Sequence, residues 1–284
     1  MYIFCIAGCR DKYSRVLNSE WKRLFSHLVF LFILLFNSPF VFSQSAAAIF
    51  KDRRPQLISK QFSFTEGPAV DKKGNIFFTD QPNNKIWKYD IHGHLSVFLD
   101  SAGRSNGMYF DKKENLITCA DDQNQLWSIS PKGKVTVLLK DFKGHRLNGP
   151  NDLWVDPNGG IYFSDPYFQR DYWQRKSPDS LLGGENLYYL PAGKNEAILV
   201  DGPLMKPNGL TGTRDGKFLF VSEMGKGRIL KYRILKNGML SDRKVFVKDL
   251  ADGITLDENG NLYLAGRGVT VYNSMGNKIE HIDI

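Results

Sequence analysis

The amino-acid sequence predicts an all-β protein, and more specifically a β-propeller built from four-stranded blades. A phrase of two short apolar runs joined by a tight turn recurs five times, and successive copies begin 40 to 57 residues apart. Repeats of this length, each with room for several strands, are typical of propellers. The 26 glycines and the 13% aromatic content also favour strands and turns over helices.

The clearest copy of the phrase covers residues 149–165. It opens on Asn151, continues through two apolar runs separated by an Asp-Pro-Asn-Gly-Gly turn, and ends at Asp165. This order of residues predicts two antiparallel strands joined by a tight turn. In each copy a polar residue precedes the first apolar run, and these five opening residues are Glu66, Asn106, Asn151, Asn208 and Asp252.

Each repeat has room for two further strands. In the first repeat they cover residues 84–89 and 95–99, and a His-Gly pair forms the turn between them. The repeat that opens on Asn151 is longest because residues 167–184, rich in aromatic and charged side chains, are inserted in it. Loops of that length are uncommon unless they are functional or disordered, so this one is predicted to lie near one face.

Residues 1–43 are predicted to be a signal peptide, or alternatively an uncleaved N-terminal anchor. Basic residues precede an apolar run over 28–36, Pro39 interrupts it, and Val41 and Ser43 suit cleavage before Gln44. Residues 44–284 would then form the propeller outside the cytoplasm, as a periplasmic or secreted protein. Of the three cysteines only Cys119 lies in this part, where we expect a buried small hydrophobic residue.

The charge pattern argues against nucleic acid as a partner. The formal net charge is +8, of which residues 1–43 contribute +3. The remaining charges are scattered over turns and form no basic stripe with interleaved aromatic residues. No membrane contact beyond the export signal is expected either.

The five opening residues are predicted to form a ring. The first strand of every blade lines the central channel of a propeller, so equivalent repeat positions surround the axis. All five side chains carry an oxygen, and carboxylates mixed with amides suit a hard cation such as Ca²⁺ or Mg²⁺. The alternative is that they are ordinary turn residues. The acids of the mid-repeat turns are interpreted as structural: Asp71, Asp111, Asp156, Asp215 and Asp257.

Several phrases resemble the gluconolactonase group of the SMP-30/regucalcin family. They include Thr65-Glu66-Gly67-Pro68, the Arg146–Asp152 run, Pro207-Asn208-Gly209 and Ala251-Asp252-Gly253. The resemblance implies a six-bladed propeller, which would make the sixth blade incomplete at the C-terminus; a five-bladed ring is the alternative. It also implies a divalent cation, usually Ca²⁺ but alternatively Mg²⁺, Zn²⁺ or Mn²⁺. The implied ligands are Glu66, Asn151, Asn208 and Asp252, with Asn106 near the substrate.

The expected activity is metal-dependent hydrolysis of a small lactone, with glucono-1,5-lactone as the leading substrate. Asp252 is the candidate general base, with a metal-bound hydroxide or His145 as alternatives. Other candidate substrate contacts are Arg146, Asn148, Asp165 and Tyr167. The rival functions are a non-catalytic calcium-binding propeller and a truncated, inactive propeller that binds ligands or proteins, for example through an aromatic patch around Tyr167, Phe168, Tyr172 and Trp173.

Overall fold

The computed structural model describes residues 54–284, except 174–176 and 180–181. The predicted signal peptide or anchor, residues 1–43, therefore lies outside the described residues. Within the described part of the chain, no helix is both long enough and apolar enough to span a membrane.

Over the described residues, twenty strands form five antiparallel sheets, and each sheet is one blade. Blade 1 contains β1 (Thr65–Val70), β2 (Ile76–Asp80), β3 (Lys85–Tyr89) and β4 (Leu95–Asp100). Blade 2 contains β5 (Met108–Phe110), β6 (Leu116–Ala120), β7 (Gln125–Ile129) and β8 (Val135–Leu139). Blade 3 contains β9 (Leu153–Val155), β10 (Ile161–Asp165), β11 (Glu185–Leu190) and β12 (Ile198–Leu204).

Blade 4 contains β13 (Pro207–Gly212), β14 (Phe218–Glu223), β15 (Arg228–Ile234) and β16 (Leu240–Val247). Blade 5 contains β17 (Ile254–Leu256), β18 (Leu262–Gly266), β19 (Gly268–Tyr272) and β20 (Lys278–Ile282). In every blade the strands pair in chain order from the inside outwards. The all-β propeller with four strands in each blade is thus confirmed.

The expectation of six blades is wrong, because the described residues form five. Each of the five repeats supplies all four strands of one sheet, so the strands after Asp252 complete the fifth blade and begin no other. The repeats themselves counted five units. The sixth blade was expected from the spacing of the repeats and from the family resemblance.

The hydrophobic core lies between consecutive blades. Four clusters of buried side chains join blades 1 and 2, 2 and 3, 3 and 4, and 4 and 5. The second strands β2, β6 and β10 are buried along their whole length, which is why their sequences are almost continuously apolar. Cys119 is fully buried in the cluster between blades 2 and 3, as expected, and burial raises the pKa of its thiol well above the ordinary value.

The first strands of neighbouring blades pack side by side. β1 packs against β5, β5 against β9, β9 against β13 and β13 against β17. Among the described residues, neither a comparable strand contact nor a hydrophobic cluster joins blade 5 to blade 1. The inner strands therefore follow one another around a channel, with a seam between β17 and β1.

The acids of the mid-repeat turns are structural, as expected. Asp111 illustrates the arrangement: Oδ1 accepts the backbone N–H groups of Lys113 and Asn115, and Oδ2 accepts the Asn115 side-chain amide. Asp71 and Asp257 repeat this pattern in blades 1 and 5. Such side-chain-to-backbone bonds fix the turn between the first and second strands, and thereby the register of the inner hairpin.

Candidate functional site

The opening residues of the repeats lie at or just before the inner strands. Glu66 is in β1 and Asn208 in β13, while the other three directly precede the inner strands of their blades. Asn106, Asn151 and Asn208 are buried, Glu66 is half-buried and Asp252 is exposed. The side-by-side packing of the inner strands therefore gathers carboxylates and amides from all five blades around one channel.

A glycine after the opening residue controls how closely neighbouring blades approach. A Cβ atom built on three of these glycines would lie under 3 Å from the backbone carbonyl oxygen of the opening residue in another blade. The distance is 2.2 Å from Gly67 to the Asn106 oxygen, 2.8 Å from Gly107 to the Asn151 oxygen, and 2.6 Å from Gly209 to the Asp252 oxygen. No side chain fits at these positions. The glycines thus serve the contact between blades.

Backbone hydrogen bonds use this close approach. The Gly107 N–H donates to the Asn151 carbonyl at 2.7 Å, and the Gly209 N–H donates to the Asp252 carbonyl at 2.8 Å. Each bond ties one inner strand to the opening residue of another blade. The separation of Asn106 from Asn151, and that of Asn208 from Asp252, is consequently set by the backbone, independently of any ligand.

In blade 3 an acid replaces the glycine. Asp152 Oδ2 accepts the N–H of Leu210 in blade 4 at 2.9 Å, while Oδ1 accepts the N–H of Leu153 at 2.9 Å. The Ser164 hydroxyl adds a second link by donating to the Asn208 carbonyl at 2.8 Å. Asp152 and Ser164 thus fix the strand that carries Asn208. Sequence reasoning did not select them as functional residues, although Asp152 was visible as the exception to the glycine rule.

The side-chain amides in the channel have unused hydrogen-bonding capacity. Asn106 Nδ2 is buried with no hydrogen-bond partner, and the Asn151 side chain bonds to none of the described residues. Asn208 Nδ2 donates to Asp252 Oδ1 at 2.6 Å, which leaves Asn208 Oδ1 free of described donors. A buried amide donor without a partner is costly, so Asn106 Nδ2 is better explained by a ligand that carries an acceptor atom than by the fold.

Three carboxyl groups repel one another in this channel. Burial raises the pKa of Glu66 to about 8, with contributions from Asp252 and Asp152 that outweigh the lowering effects of Arg170 and of the Gly67 N–H. Burial likewise raises the pKa of Asp152 to about 7, against hydrogen bonds from Leu210 and Leu153. The pKa of Asp252 is also raised, because the surrounding channel walls limit hydration of its carboxylate although the residue is open to solvent, and the Asn208 amide and Arg170 oppose the change. Together the shifts indicate a deficit of positive charge.

This donor set fits a divalent cation. Glu66 and Asp252 supply carboxylate oxygens, while Asn151 and Asn208 supply amide oxygens, which are ligands that hard cations prefer. A cation would also offset the burial and the mutual repulsion of carboxylates that raise these pKa values. Over the described residues there is no group of three or more His, Cys, Asp or Glu side chains suited to a metal. The candidate site therefore depends on amides to complete its ligands.

The candidate substrate residues of blade 3 hold the backbone that leads to Asn151. Asp165 accepts the N–H of Asn148 at 2.9 Å and that of Gly149 at 2.8 Å, one on each carboxylate oxygen. Asn148 Nδ2 donates to the Asp165 and Gly184 carbonyls. Both side chains thus position the segment before Asn151, and a substrate contact for either stays a prediction.

The other candidates lie in or against the loop between β10 and β11. The exposed Arg146 donates from Nη2 to the Ser177 carbonyl at 3.0 Å. His145 Nδ1 lies 3.6 Å from Asp179 Oδ2, and the half-buried Tyr167 donates its hydroxyl to Gln169 at 2.5 Å. These contacts shape the loop. Roles for Arg146, His145 and Tyr167 in substrate binding or proton transfer stay predictions.

Without a divalent cation, the protein is expected to lose stability as the pH rises from 4.5 towards 8. Over this range folded Glu66 keeps a proton that the unfolded chain releases at the ordinary value of 4.5. A folded state that binds more protons is stabilised at the lower pH, by up to about 1.4 kcal/mol for each pH unit and proton. Urea unfolding in excess chelator at several pH values measures this slope.

The Glu66→Gln variant is the control for that slope. It removes the titrating carboxyl group but keeps a side chain of similar shape, so its free energy of unfolding should fall less steeply with pH. A wild-type stability in chelator that is constant or rises between pH 5 and 8 would contradict the electrostatic description of the site.

Comparisons with known proteins agree with this architecture. The family described as "SMP-30/Gluconolactonase/LRE-like region" matches residues 64–284. A gluconolactonase of Zymomonas mobilis is 26% identical over 241 residues, which cover 75% of this chain and 67% of that protein. The lactonohydrolase oryL of Aspergillus oryzae is 24% identical over 178 residues, covering 53% of this chain and 40% of that protein. The chain thus spans two thirds or less of these relatives.

Solved structures share the fold. A gluconolactonase from Xanthomonas campestris superposes with a TM-score of 0.73 at 29% identity, covering 80% of this chain and 78% of the other. The calcium-binding protein regucalcin from Agrobacterium tumefaciens superposes with a TM-score of 0.65 at 17% identity, covering 82% of this chain and 76% of the other. A likeness at this identity shows the fold alone. Because the family match extends over both the strands and the opening residues, this chain belongs to the SMP-30/gluconolactonase/LRE-like family.

Proposed function

We propose that this protein is a lactone hydrolase that depends on a divalent cation, and that its substrate is a sugar lactone such as glucono-1,5-lactone. The observation that carries the proposal is the set of channel residues, in which the carboxylates of Glu66 and Asp252 have raised pKa values and the amide oxygens of Asn151 and Asn208 accept from no described donor. The gluconolactonases and the lactonohydrolase to which the chain is similar support the same reaction class.

Glu66, Asn151, Asn208 and Asp252 would hold the cation. When bound, such a cation polarises the lactone carbonyl and lowers the pKa of a neighbouring water molecule. Ca²⁺ suits the all-oxygen ligand set, and Mg²⁺, Mn²⁺ or Zn²⁺ are alternatives for the test.

Asp252 is proposed as the general base. Its exposed carboxylate can accept a proton from water as the water oxygen attacks the carbonyl carbon of the lactone. The ring C–O bond then breaks, and the departing ring oxygen takes the proton from Asp252 to become a hydroxyl group. The Asn208 amide donates to the Asp252 carboxylate at 2.6 Å and orients it.

The loop between β10 and β11 bears on the rival function of binding a protein or glycan through an aromatic face. Trp173 is buried, and Tyr167, Phe168 and Tyr172 are half-buried. These rings pack within the protein rather than forming a flat exposed patch, so a small molecule is the better proposal for the ligand. Export through residues 1–43 to the periplasm or medium is also retained as a proposal.

The proposed function is tested with the purified protein after exhaustive chelation. Ca²⁺, Mg²⁺, Mn²⁺ or Zn²⁺ is returned singly, and acid release from a panel of lactones is followed in a pH-stat. We expect hydrolysis of aldonolactones that is lost in chelator and restored by at least one cation. Unchanged hydrolysis in chelator would refute metal dependence. Cation binding without turnover of any lactone would favour the non-catalytic calcium-binding propeller.

A further inference from the structure

Arg170 is a cation whose charge no described acid neutralises by direct contact. It lies in the loop between β10 and β11, and its Cζ is 5.2 Å from the ring centre of Phe64, 5.5 Å from that of Phe168 and 5.8 Å from that of Trp173. The rings hold the guanidinium through cation–π contacts. The side chain is partly buried, and its Nε–H is buried with no hydrogen-bond partner.

This guanidinium lies near the channel carboxylates and forms no ion pair with them in the described structure. Phe64 lies two residues before Glu66, and the charge of Arg170 lowers the pKa of both Glu66 and Asp252. No ion pair of 4.0 Å or less joins Arg170 to either carboxylate in the described structure. The contact with Phe64 therefore places Arg170 beside the segment that leads into Glu66, and no described residue accepts a hydrogen bond from its guanidinium.

The neighbouring cations are already paired. Lys206 lies over the Phe168 ring at 5.1 Å, but its ammonium group is 2.6 Å from a Glu185 carboxylate oxygen. Arg104 stacks on the Tyr172 ring at 4.9 Å, and its guanidinium donates to the Pro82 carbonyl at 2.5 Å. Both side chains hold the loop in place, whereas the guanidinium of Arg170 donates to no acceptor among the described residues.

We propose that Arg170 binds the carboxylate that forms when the lactone ring opens, and that it stabilises the negative charge developing on the carbonyl oxygen before that. This role rests on the proposed function. The carbonyl oxygen gains charge as water adds to the carbonyl carbon, and the charge is shared by the carboxylate after the ring C–O bond breaks. Arg170 stays protonated throughout, because a guanidinium donates hydrogen bonds without releasing its proton.

The proposal predicts that Arg170 distinguishes charged from neutral ligands. Charge-assisted hydrogen bonds are stronger than neutral ones, so Arg170→Gln should weaken gluconate binding by about 10- to 100-fold. Affinity for glucitol, the matching neutral polyol, should stay within about twofold. The kcat for gluconolactone should fall by about the same factor as the gluconate affinity, while KM changes little, because the neutral substrate lacks the charge.

Isothermal titration of the full chain, loaded with the activating cation, gives both affinities without turnover. Arg170→Lys keeps the charge and should restore part of the gluconate affinity, whereas Arg104→Gln is the control for loop placement and should leave the ratio of the two affinities unchanged. If Arg170→Gln weakens both ligands equally, or neither, the proposal is overturned. Failure of the wild-type protein to hydrolyse any lactone would instead refute the proposed function, and this inference with it.

Discussion

The Asp252→Ala variant is expected to lose lactone hydrolysis, with kcat/KM about 10³-fold below the wild-type value, because general-base catalysis contributes roughly 10²- to 10⁴-fold. Alanine removes the carboxylate that would accept the proton from water, one oxygen ligand of the cation, and the acceptor of the Asn208 amide at 2.6 Å. The fold should survive, since Asp252 is exposed and its backbone N–H still donates to the Ala265 carbonyl. Kinetics in a pH-stat measure the hydrolysis, and circular dichroism measures the fold.

Two further variants make this result specific. Glu258→Ala removes a surface carboxylate of the same blade that is 89% exposed, and it should keep wild-type kinetics. Asp252→Asn keeps an oxygen that can accept the Asn208 hydrogen bond but loses the charge, so it should be nearly as inactive as the alanine variant. Full activity in Asp252→Asn would show that the hydrogen bond is sufficient, and the general-base role would have to be abandoned.

The second large effect is expected for Gly209→Ala. The added methyl group would lie 2.6 Å from the Asp252 carbonyl oxygen and 2.7 Å from Gly253 Cα, so the inner strands of blades 4 and 5 must separate. Overpacking of this kind costs about 1–3 kcal/mol of stability. It also moves Asn208 away from Asp252, and a displacement near 1 Å can lower the rate by about 100-fold. Urea unfolding and steady-state kinetics give the two effects.

Gly253→Ala is the matched control, because Gly253 is the equivalent glycine of the next blade and a Cβ there would meet nothing within 4 Å. Its free energy of unfolding should be unchanged or slightly higher, since alanine restricts the unfolded chain. Equal destabilisation by the two substitutions would show that loss of backbone freedom, rather than contact between blades, explains these glycines.

The repeat pattern was sufficient to predict the strand order and the number of strands in each blade. The inner hairpins depend on local features that the sequence displays, such as the turn at Asp111 and its hydrogen bonds to the next residues. The blade number showed the limit of the resemblance, because the five repeats indicated five units while the family implied six. Direct counting of repeats described this chain correctly.

The candidate site was only partly accessible from sequence. The opening residues could be aligned because they occupy one position of a repeat, and the inner strands do gather them around the channel. Arg170 could not be found in this way, since it lies in an insertion that has no counterpart in the other repeats. Its position depends on long-range contacts with Phe64, which is 106 residues earlier in the chain. No local pattern predicts a contact of that kind.

The seam between blades 5 and 1 gives the two carboxylates a mechanical role. Glu66 and Asp252 belong to blades 1 and 5, whose inner strands do not pack closely against each other in the described structure, and open space surrounds the position of a Cβ at Gly253. A ligand that bridges these side chains would therefore act as a reversible crosslink that closes a long loop of chain and reduces the entropy gained on unfolding. The residues that would bind the ligand at the reaction centre would thus also join blade 5 to blade 1, so loss of the ligand would destabilise the propeller.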